Sequence, residues 1–368
     1  MLVTPALAES FRVALFHTEF GRDGPGLFYR DILRGKDPQI EAGLRILRHI
    51  DADLLILGDI DHDHHRVALD ALADRLGTYP HRFHPVPNRG VPSGLDLNGN
   101  GRLGDDDDRL GYGPFRGSGS IAVLSRFSLR ADLVEDRTAL PWLSLDGHIA
   151  PEGTPPNVPL STTVHLRLPV ELPDGALLNL ILWHATPPVF DGPEDRNGRR
   201  NHDEARLVHE MLDATEGTVL IAGFANLDPV DGDGRKEALR ALLAHPRLQD
   251  RPPESAGGRD AALEAGVNVT HRGDPARDTV DWPDEPGRPG NLRTDYLLPE
   301  RSLTVLGSGV FWPEEGALFG GEVRSASRHR ILWMDLVPDS TGKRDDRVGW
   351  PEIGQERVEF GVLDPMRQ

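Results

Sequence analysis

The sequence contains no cysteine among its 368 residues and no apolar run long enough to span a membrane. Without cysteine the chain can form no disulfide, offers no thiol nucleophile and cannot bind zinc through sulfur. Basic residues are few relative to acidic ones, with 41 Lys and Arg against 59 Asp and Glu, and the formal net charge is −18. Such a chain repels a nucleic-acid backbone overall, so nucleic-acid binding would need a local basic groove or bound cations.

The remaining composition is typical of a loop-rich globular protein. Hydrophobic residues make up 38% and charged residues 27%, and the 40 Gly and 31 Pro predict many turns. The length allows one large or two ordinary domains. Residues 1–8 end in Ala6-Leu7-Ala8, which is similar to the end of a secretory signal. We therefore expect residues 1–8 to be the remnant of a signal peptide, and the protein to be periplasmic or extracellular; the alternative is a chance match in an Ala-rich chain.

The segment 218–234, TVLIAGFANLDPVDGDG, joins a short apolar run to a polar loop. Its residues 219–222 are typical of a buried strand, and Gly, Asn, Asp and Pro follow them. Polar side chains at the end of a buried strand are held stiffly and still meet solvent. The segment is therefore a candidate for catalytic or metal-binding residues.

Other apolar runs also lie beside side chains that could carry chemistry. The runs and their polar neighbours are 11–16 with His17, 53–58 with Asp59, 177–183 with His184, 292–298 with Asp295, and 331–334 with His329. A Gly-rich lead, 117–120, precedes a further run that ends in Leu124-Ser125-Arg126. These patterns predict several strands whose ends bring polar side chains together.

In this order, the motifs resemble those of the endonuclease/exonuclease/phosphatase superfamily. Its members are metal-dependent phosphoesterases, including pancreatic deoxyribonuclease and the exonuclease III type of repair nuclease. The similarity runs from Phe11 to Asp335. It implies an α/β (α+β) fold of four layers, in which two mixed β-sheets are flanked by helices, as in deoxyribonuclease I. The implied domain covers residues 9–340, and residues 341–368 form a C-terminal extension.

The resemblance also implies roles for individual residues. His184 would hydrogen-bond the scissile phosphate or protonate the leaving group, and His329 would be the general base. Asn226 and Asp295 would complete the catalytic set, and Asp59 would be the principal ligand of Mg²⁺ or Mn²⁺. The substrate would contain phosphate, as a nucleic acid, a nucleotide or a phosphorylated small molecule. We expect a monomer that does not interact with membranes.

Three positions depart from the pattern of the superfamily. His17 replaces an Asn, Phe224 replaces an Asp that helps to activate the attacking water, and Arg328 replaces an Asp beside the general base. Phe supplies neither charge nor hydrogen bond, whereas Arg328 could bind a phosphate and His17 could bind metal or phosphate. His17 could equally be a loop residue without a role. Two functions stay open: a phosphoesterase of reduced activity, and an inactive member that binds a phosphate ligand or a partner protein.

The stretch 96–107, DLNGNGRLGDDD, has the spacing of a calcium-binding loop. Oxygen-bearing side chains fall at Asp96, Asn98 and Asn100, glycine occupies the sixth position, and Asp107 replaces the usual Glu at the twelfth. These four residues predict a Ca²⁺ site, and the alternative is an acidic surface loop. A third possible function is therefore that of an exported, calcium-stabilised protein with structural roles alone.

Two further stretches are predicted to lie outside the regular core. The charged residues 191–204 are predicted as a surface loop before a helix over 204–212, so Arg196, Arg199 and Arg200 are interpreted as solvated rather than bound to phosphate. Residues 251–290 are rich in Gly, Pro, Arg and Asp, which is typical of disordered segments.

Overall fold

A computed structural model describes residues 10–249, 251–263 and 266–338. The segments 1–8 and 341–368, interpreted above as a signal remnant and an extension, lie outside the described residues. The strands are β1 (Phe11–His17), β2 (Leu54–Ile60), β3 (His81–Phe83), β4 (Ser120–Ser125), β5 (Ser128–Leu129), β6 (Glu135–Asp136), β7 (His165–Glu171), β8 (Leu177–His184), β9 (Thr218–Phe224), β10 (Val280–Asp281), β11 (Asn291–Leu292), β12 (Asp295–Pro299), β13 (Leu303–Phe311) and β14 (Ile331–Pro338).

Seven helices in the described residues are interspersed among these strands. They are α1 (Leu27–Arg34), α2 (Pro38–Ile50), α3 (Val67–Leu76), α4 (Arg196–Ala214), α5 (Glu237–Leu243), α6 (Ala256–Ala261) and α7 (Gly320–Ala326). Within the described parts of the chain, no helix is both long and apolar enough to cross a membrane.

Two mixed sheets form the centre of the molecule. The first has the strand order β13-β14-β1-β2-β4-β3, and the second has the order β12-β9-β8-β7-β5 with β6 beside β7. In each sheet one neighbouring pair is parallel, β1 with β2 and β8 with β9. Each parallel pair lies near the middle of its sheet and has an antiparallel strand on either side.

Three apolar clusters hold four layers together. One packs α1, α2, α3 and α7 against the outer face of the first sheet, and a second fills the space between the two sheets. The third packs α4 and α5 against the outer face of the second sheet. The layers are therefore helices, sheet, sheet and helices, which confirms the predicted α/β sandwich of two mixed sheets flanked by helices.

Two local predictions were wrong. The helix expected over 204–212 is α4, which begins at Arg196, so Arg196, Arg199 and Arg200 are helical, and Arg200 is buried with 4% of its surface exposed. Residues 251–290 have a disorder-like composition, yet their described part contains α6 and β10, and α6 is capped by the Ser255 hydroxyl, which accepts from the Gly258 amide. Short capped elements and turns order this region despite its polar composition.

Candidate active site

The parallel strands of both sheets end at one edge of the sandwich. His17 is the last residue of β1 and pairs with Gly58 of β2. His184 is the last residue of β8 and pairs with Phe224, the last residue of β9. Because the carboxyl ends of parallel strands expose side chains at one sheet edge, these positions suit a functional site.

His329 and Asp295 form a buried pair at the same edge. Asp295 is the first residue of β12 and lies opposite Phe224, while His329 lies two residues before the start of β14. His329 Nδ1 lies 2.8 Å from Asp295 Oδ2, and the two side chains are 4% and 1% exposed. When Nδ1 donates to the carboxylate, Nε2 of the neutral ring keeps its lone pair and can accept a proton.

His17 packs among the other rings of the site. Its ring stacks on that of His329, with centroids 4.2 Å apart, and meets the edges of His184 at 5.2 Å and Phe224 at 5.1 Å. Burial lowers the pKa of His17 to about 4 and lowers the pKa of His184 well below its usual value. Burial therefore favours the neutral form of both imidazoles at neutral pH.

Phe224 lies at the position where the sequence resemblance implied a carboxylate. Its side chain is fully buried in the cluster between the sheets. A Cβ atom on Gly58, on the facing sheet, would lie 2.4 Å from Cε2 of this ring. The Phe224 ring therefore occupies space that is free only because residue 58 is a glycine.

Asp59 is paired with an arginine. Its Oδ1 accepts a hydrogen bond from Arg89 Nη1 at 2.9 Å. Burial opposes ionisation of Asp59, but the charge and hydrogen bond of Arg89, together with the nearby His17, hold the pKa of the carboxyl below its usual value. Gly119 lies against this pair, and a Cβ atom there would come within 2.1 Å of Arg89 Nη1 and 2.3 Å of Asp59 Oδ1.

Arg328, which replaces an acid of the superfamily, is paired with Glu19. The Glu19 carboxylate accepts from the Arg328 backbone N at 2.7 Å, from its Nε at 2.8 Å and from Ser327 Oγ at 3.1 Å, and it also bonds Arg328 Nη2. Burial alone would raise the pKa of Glu19, but the Arg328 hydrogen bonds lower it to about 2. Arg328 thus leaves the orientation of His329 to Asp295.

Several residues of the site have left-handed backbone conformations. Asn226 has φ 51°, Asp59 has φ 56° and Glu19 has φ 53°. Such angles are uncommon for residues other than glycine and tend to cluster at functional sites. The Asn226 side chain donates from Nδ2 to the Ala185 carbonyl at 2.8 Å, which orients its amide.

A cleft of about 1040 Å³ connects these side chains. Among the residues predicted from the sequence, its lining includes His17, Asp59, His184, Asn226, Arg328, His329, Asn98 and Asp107. Asp295 lies behind His329, and Asp96 and Asn100 lie outside the lining. Phe190, which is 92% exposed and has φ 68°, also lines the cleft.

Sequence reasoning missed Glu19 and Arg89. Glu19 lies two residues beyond β1, in the polar end of a strand-like run, so its position was a usable signal. Arg89 lies in a loop thirty residues from Asp59, and no local pattern links the two. Only the folded chain shows that Arg89 neutralises Asp59.

The predicted calcium loop folds around its own polar groups. The Asp96 carboxylate accepts from the Asn100 and Gly101 amides, and Asn100 Oδ1 accepts from the Arg102 amide. Asp108, which is buried, closes the loop by accepting from Leu97 N at 2.7 Å and Gly104 N at 2.8 Å. Ca²⁺ binding by Asp96, Asn98, Asn100 and Asp107 stays a prediction.

The residues around Asp59 do not make up a divalent-cation site. One Asp59 oxygen is bonded to Arg89, and Phe224 presents carbon where a second carboxylate would stand. In the described residues, one group of three His, Asp or Glu side chains has its ligand atoms within 4.8 Å of one another, and it is outside the cleft, at His209, Asp213 and His245. Hard cations need several oxygen ligands, so Asp59 is insufficient while one of its oxygens is bonded to Arg89.

Residues 32–329 match the model of the Endonuclease/Exonuclease/phosphatase family. The match covers most of the chain, and the protein belongs to this family. Members of the family are hydrolases that act on phosphate esters, generally with divalent metal ions. None of the curated proteins matches the sequence.

Solved structures of family members share the fold. One from Beutenbergia cavernae DSM 12333 has 17% identity and a TM-score of 0.52, and covers 89% of this chain and 72% of that chain. One from Bacteroides vulgatus has 12% identity and a TM-score of 0.50, with 90% and 99% covered. One from Bacteroides thetaiotaomicron has 15% identity and a TM-score of 0.50, also with 90% and 99% covered. At these identities the similarity is one of fold.

Proposed function

We propose that this chain binds a phosphoester in the cleft and hydrolyses it, at a rate reduced by Phe224. The observation that carries the proposal is the buried Asp295–His329 pair, with its 2.8 Å hydrogen bond, at the strand ends of the sandwich. Family membership supplies the class of reaction. Nucleic acids, nucleotides and phosphorylated small molecules are all candidate substrates, and we expect the protein to act as an exported monomer.

His329 is the proton acceptor in the proposed reaction. A water oxygen attacks phosphorus while its proton passes to His329 Nε2, and the P–O bond to the leaving alcohol breaks. The imidazolium, stabilised by Asp295, then returns the proton to the leaving oxygen or to solvent. His184 is neutral and acts as a hydrogen-bonding group for the phosphate. The exposed guanidinium of Arg328 meets the phosphate oxygens.

The reduced rate follows from Phe224. A fully buried aromatic ring cannot hold or polarise water as a carboxylate does. Replacing the ring by Phe224→Asp is therefore expected to raise turnover, and general-base assistance of this kind contributes about a hundredfold to ten-thousandfold. A parent that is already as fast as the variant would show that position 224 does not limit the rate.

A second function is favoured by two observations at the same site. The ion pair between Asp59 and Arg89 and the apolar ring of Phe224 both fit a centre that binds phosphate without turning it over. In that case the protein is a binding module for a phosphate ligand. Phosphate would then raise the melting temperature of the parent, while no ester would be hydrolysed.

Hydrolysis is tested with a chromogenic phosphomonoester and with bis-p-nitrophenyl phosphate, each with chelator and with added Mg²⁺ or Mn²⁺. We expect His329→Asn to lower turnover by about a hundredfold or more. The matched control is His65→Asn, which changes an exposed histidine outside the cleft. Equal, background turnover of parent and His329→Asn under every metal condition would reject hydrolysis and leave the binding module.

A further inference from the structure

Arg200 of α4 is a buried cation with two guanidinium nitrogens that have no hydrogen-bond partner among the described residues. The residue is 4% exposed, and its Nε and Nη2 atoms are buried and form no hydrogen bond. The guanidinium lies 4.8 Å from the centre of the Trp142 ring. Burial lowers the pKa of Arg200 to about 10, so the side chain remains charged at neutral pH. A buried charge without a counter-ion is costly, and the position calls for an anion.

Glu204, one helical turn further along α4, supplies that counter-ion only in part. Its carboxyl is fully buried and accepts hydrogen bonds from Thr162 N at 3.1 Å and Thr186 N at 2.6 Å. Burial raises the pKa of Glu204 to about 7, so the group is only partly ionised at neutral pH. Glu204 and Arg200 attract each other, but burial outweighs this attraction in the pKa of Glu204, so the charge of Arg200 is only partly compensated within the described chain.

Two further guanidinium groups line the same cleft. Arg196, one turn before Arg200, donates from Nη1 to the Leu97 carbonyl at 2.6 Å. Arg109 donates from Nη1 to the Gly90 carbonyl at 3.1 Å, and its Nε is buried and unpartnered among the described residues. Like charges one helical turn apart repel each other, so an anion between Arg196 and Arg200 would relieve this repulsion.

Carboxylates near these arginines do not close the subsite. Arg109 pairs with Asp106 at 3.0 Å through Nη2, which leaves its Nε free. Asp191 and Glu194 are exposed, and each accepts a backbone amide of its own loop, from Asn197 and Gly192 respectively. Asp191 and Glu194 line the cleft at exposed positions, whereas Arg200 lines it at a buried one.

We propose that Arg196, Arg200 and Arg109 form an anion subsite in the cleft, distinct from His329 and Arg328, and that the substrate carries a second anionic group. This inference rests on the proposed phosphoester function of the same cleft. Guanidinium groups bind phosphate and carboxylate through paired hydrogen bonds. The substrate class is therefore a phosphoester with a phosphate or carboxylate at its far end, which spans the cleft from the His329 end to α4.

The subsite is tested by binding, so the result does not depend on turnover. Straight-chain diol bisphosphates of increasing length are compared with the monophosphates of the same diols by isothermal titration of the full chain. We expect one range of lengths to bind about tenfold or more tightly than the matching monophosphates, because a charge-assisted contact is added. The preferred length would report the distance between the two anion positions.

Three variants on one helix locate the effect. Arg200→Gln and Arg196→Gln should abolish the advantage of the bisphosphates, and Arg199→Gln should keep it. Arg199 lies between the two others in sequence but is outside the cleft lining, with Nη1 bonded to the Ile149 carbonyl. An advantage that survives in both cleft variants, or that is missing in the parent at every length, would overturn the subsite.

Melting temperature separates a ligand-binding role from a structural one. If Arg200 serves only to pack on Trp142, Arg200→Gln lowers the melting temperature in ligand-free buffer, and the proposal is overturned. If it binds an anion, the substitution leaves that temperature unchanged or raises it, and the stabilisation of the parent by bisphosphate is lost. Loss of the bisphosphate effect together with retained hydrolysis of monoesters would locate the change at the subsite. If the parent hydrolyses no ester but is still stabilised by bisphosphate, only the proposed reaction is contradicted.

Discussion

Gly58 and Phe224 depend on each other at the centre of the site. The ring of Phe224, on the second sheet, lies where a side chain of residue 58, on the first sheet, would have to be. Close-packed interiors have few voids, so a methyl group that would stand 2.4 Å from the ring has no room. Both positions must therefore be considered together when the site is altered.

Gly58→Ala is expected to lower the free energy of unfolding by about 1–3 kcal/mol, because it overpacks the interface between the sheets. In a Phe224→Leu background the same substitution should cost much less, which gives a measurable coupling energy. Urea denaturation of the four proteins provides the values. Gly321→Ala is the control, because a Cβ atom there meets no other group within 4 Å. Equal costs at 58 and 321 would contradict the predicted clash.

Arg89 provides the positive charge that Asp59 requires. The pair is partly buried, with 25% of the Arg89 side chain and 17% of the Asp59 side chain exposed, so losing one partner should cost less than the about 3–5 kcal/mol typical of a fully buried pair. A divalent cation could replace the lost guanidinium, since Asp59 would then have both oxygens free. The pair therefore decides whether the centre responds to metal ions.

We expect Arg89→Leu to lower the melting temperature in chelator and to recover part of the loss with added Mn²⁺. The parent should show little Mn²⁺ stabilisation at this centre, because Arg89 already pairs with Asp59. The double variant Arg89→Leu/Asp59→Asn has the same leucine but lacks the carboxylate, so Mn²⁺ should not raise its melting temperature. If the parent and both variants respond equally, the metal acts elsewhere in the chain.

The loop 96–107 is an element whose turns are already set by its own side chains. Asp108 accepts from the Leu97 and Gly104 amides within it, and the carbonyl of Leu97 accepts from Arg196 in the cleft. A cation in this loop would hold the wall opposite α4. Calcium binding would therefore also influence the anion subsite.

Calcium is expected to raise the melting temperature relative to chelator, because a ligand that binds only the folded state stabilises it by mass action. Asp96→Ala should remove the shift, since the Asp96 carboxylate is at the first ligand position of the loop. Asp146→Ala, at an exposed position away from the loop, should retain it. A melting temperature that ignores calcium, with Asp96→Ala unchanged, would leave the stretch as an acidic surface loop.

Glu19 and Arg328 join two distant parts of the chain, the end of β1 and the segment before β14. The folded state holds the pKa of Glu19 at about 2, against an ordinary value of 4.5. The contribution of this carboxylate to stability is therefore fully present above pH 4.5 and is lost as the pH falls towards 2. Arg328 is 59% exposed, so solvent screening reduces the effect to the order of 1–2 kcal/mol.

Glu19→Gln should accordingly destabilise the protein most at neutral pH. Because the neutral amide cannot titrate, the difference from the parent should shrink as the pH is lowered below 4.5. Guanidinium denaturation across this range measures the difference. Glu315→Gln, at an exposed position, serves as the control. A difference that stays constant with pH would show that the charge of Glu19 is not involved.

The sequence predicted the sandwich because buried strands are short apolar runs, and these runs lie in the order that the family requires. It also predicted His17, Asp59, His184 and His329 as side chains at or beside strand ends, where the structure has them. The first turns of α4 were missed, because residues 196–203 are mostly polar or charged and lack helical apolar spacing. The pairing of Arg89 with Asp59 was missed because a long-range ion pair leaves no local pattern.

Phe190, at the edge of the cleft, has a consequence for engineering the protein. Its ring is 92% exposed and its backbone has φ 68°, a conformation that glycine adopts with less strain. Neither packing nor backbone preference therefore favours phenylalanine there, and glycine should fold at least as well. Selection for thermal stability alone would therefore favour replacement of Phe190. A melting curve would not show whether ligand binding had been lost with it. Any such selection should therefore also require that the variants bind a phosphorylated ligand.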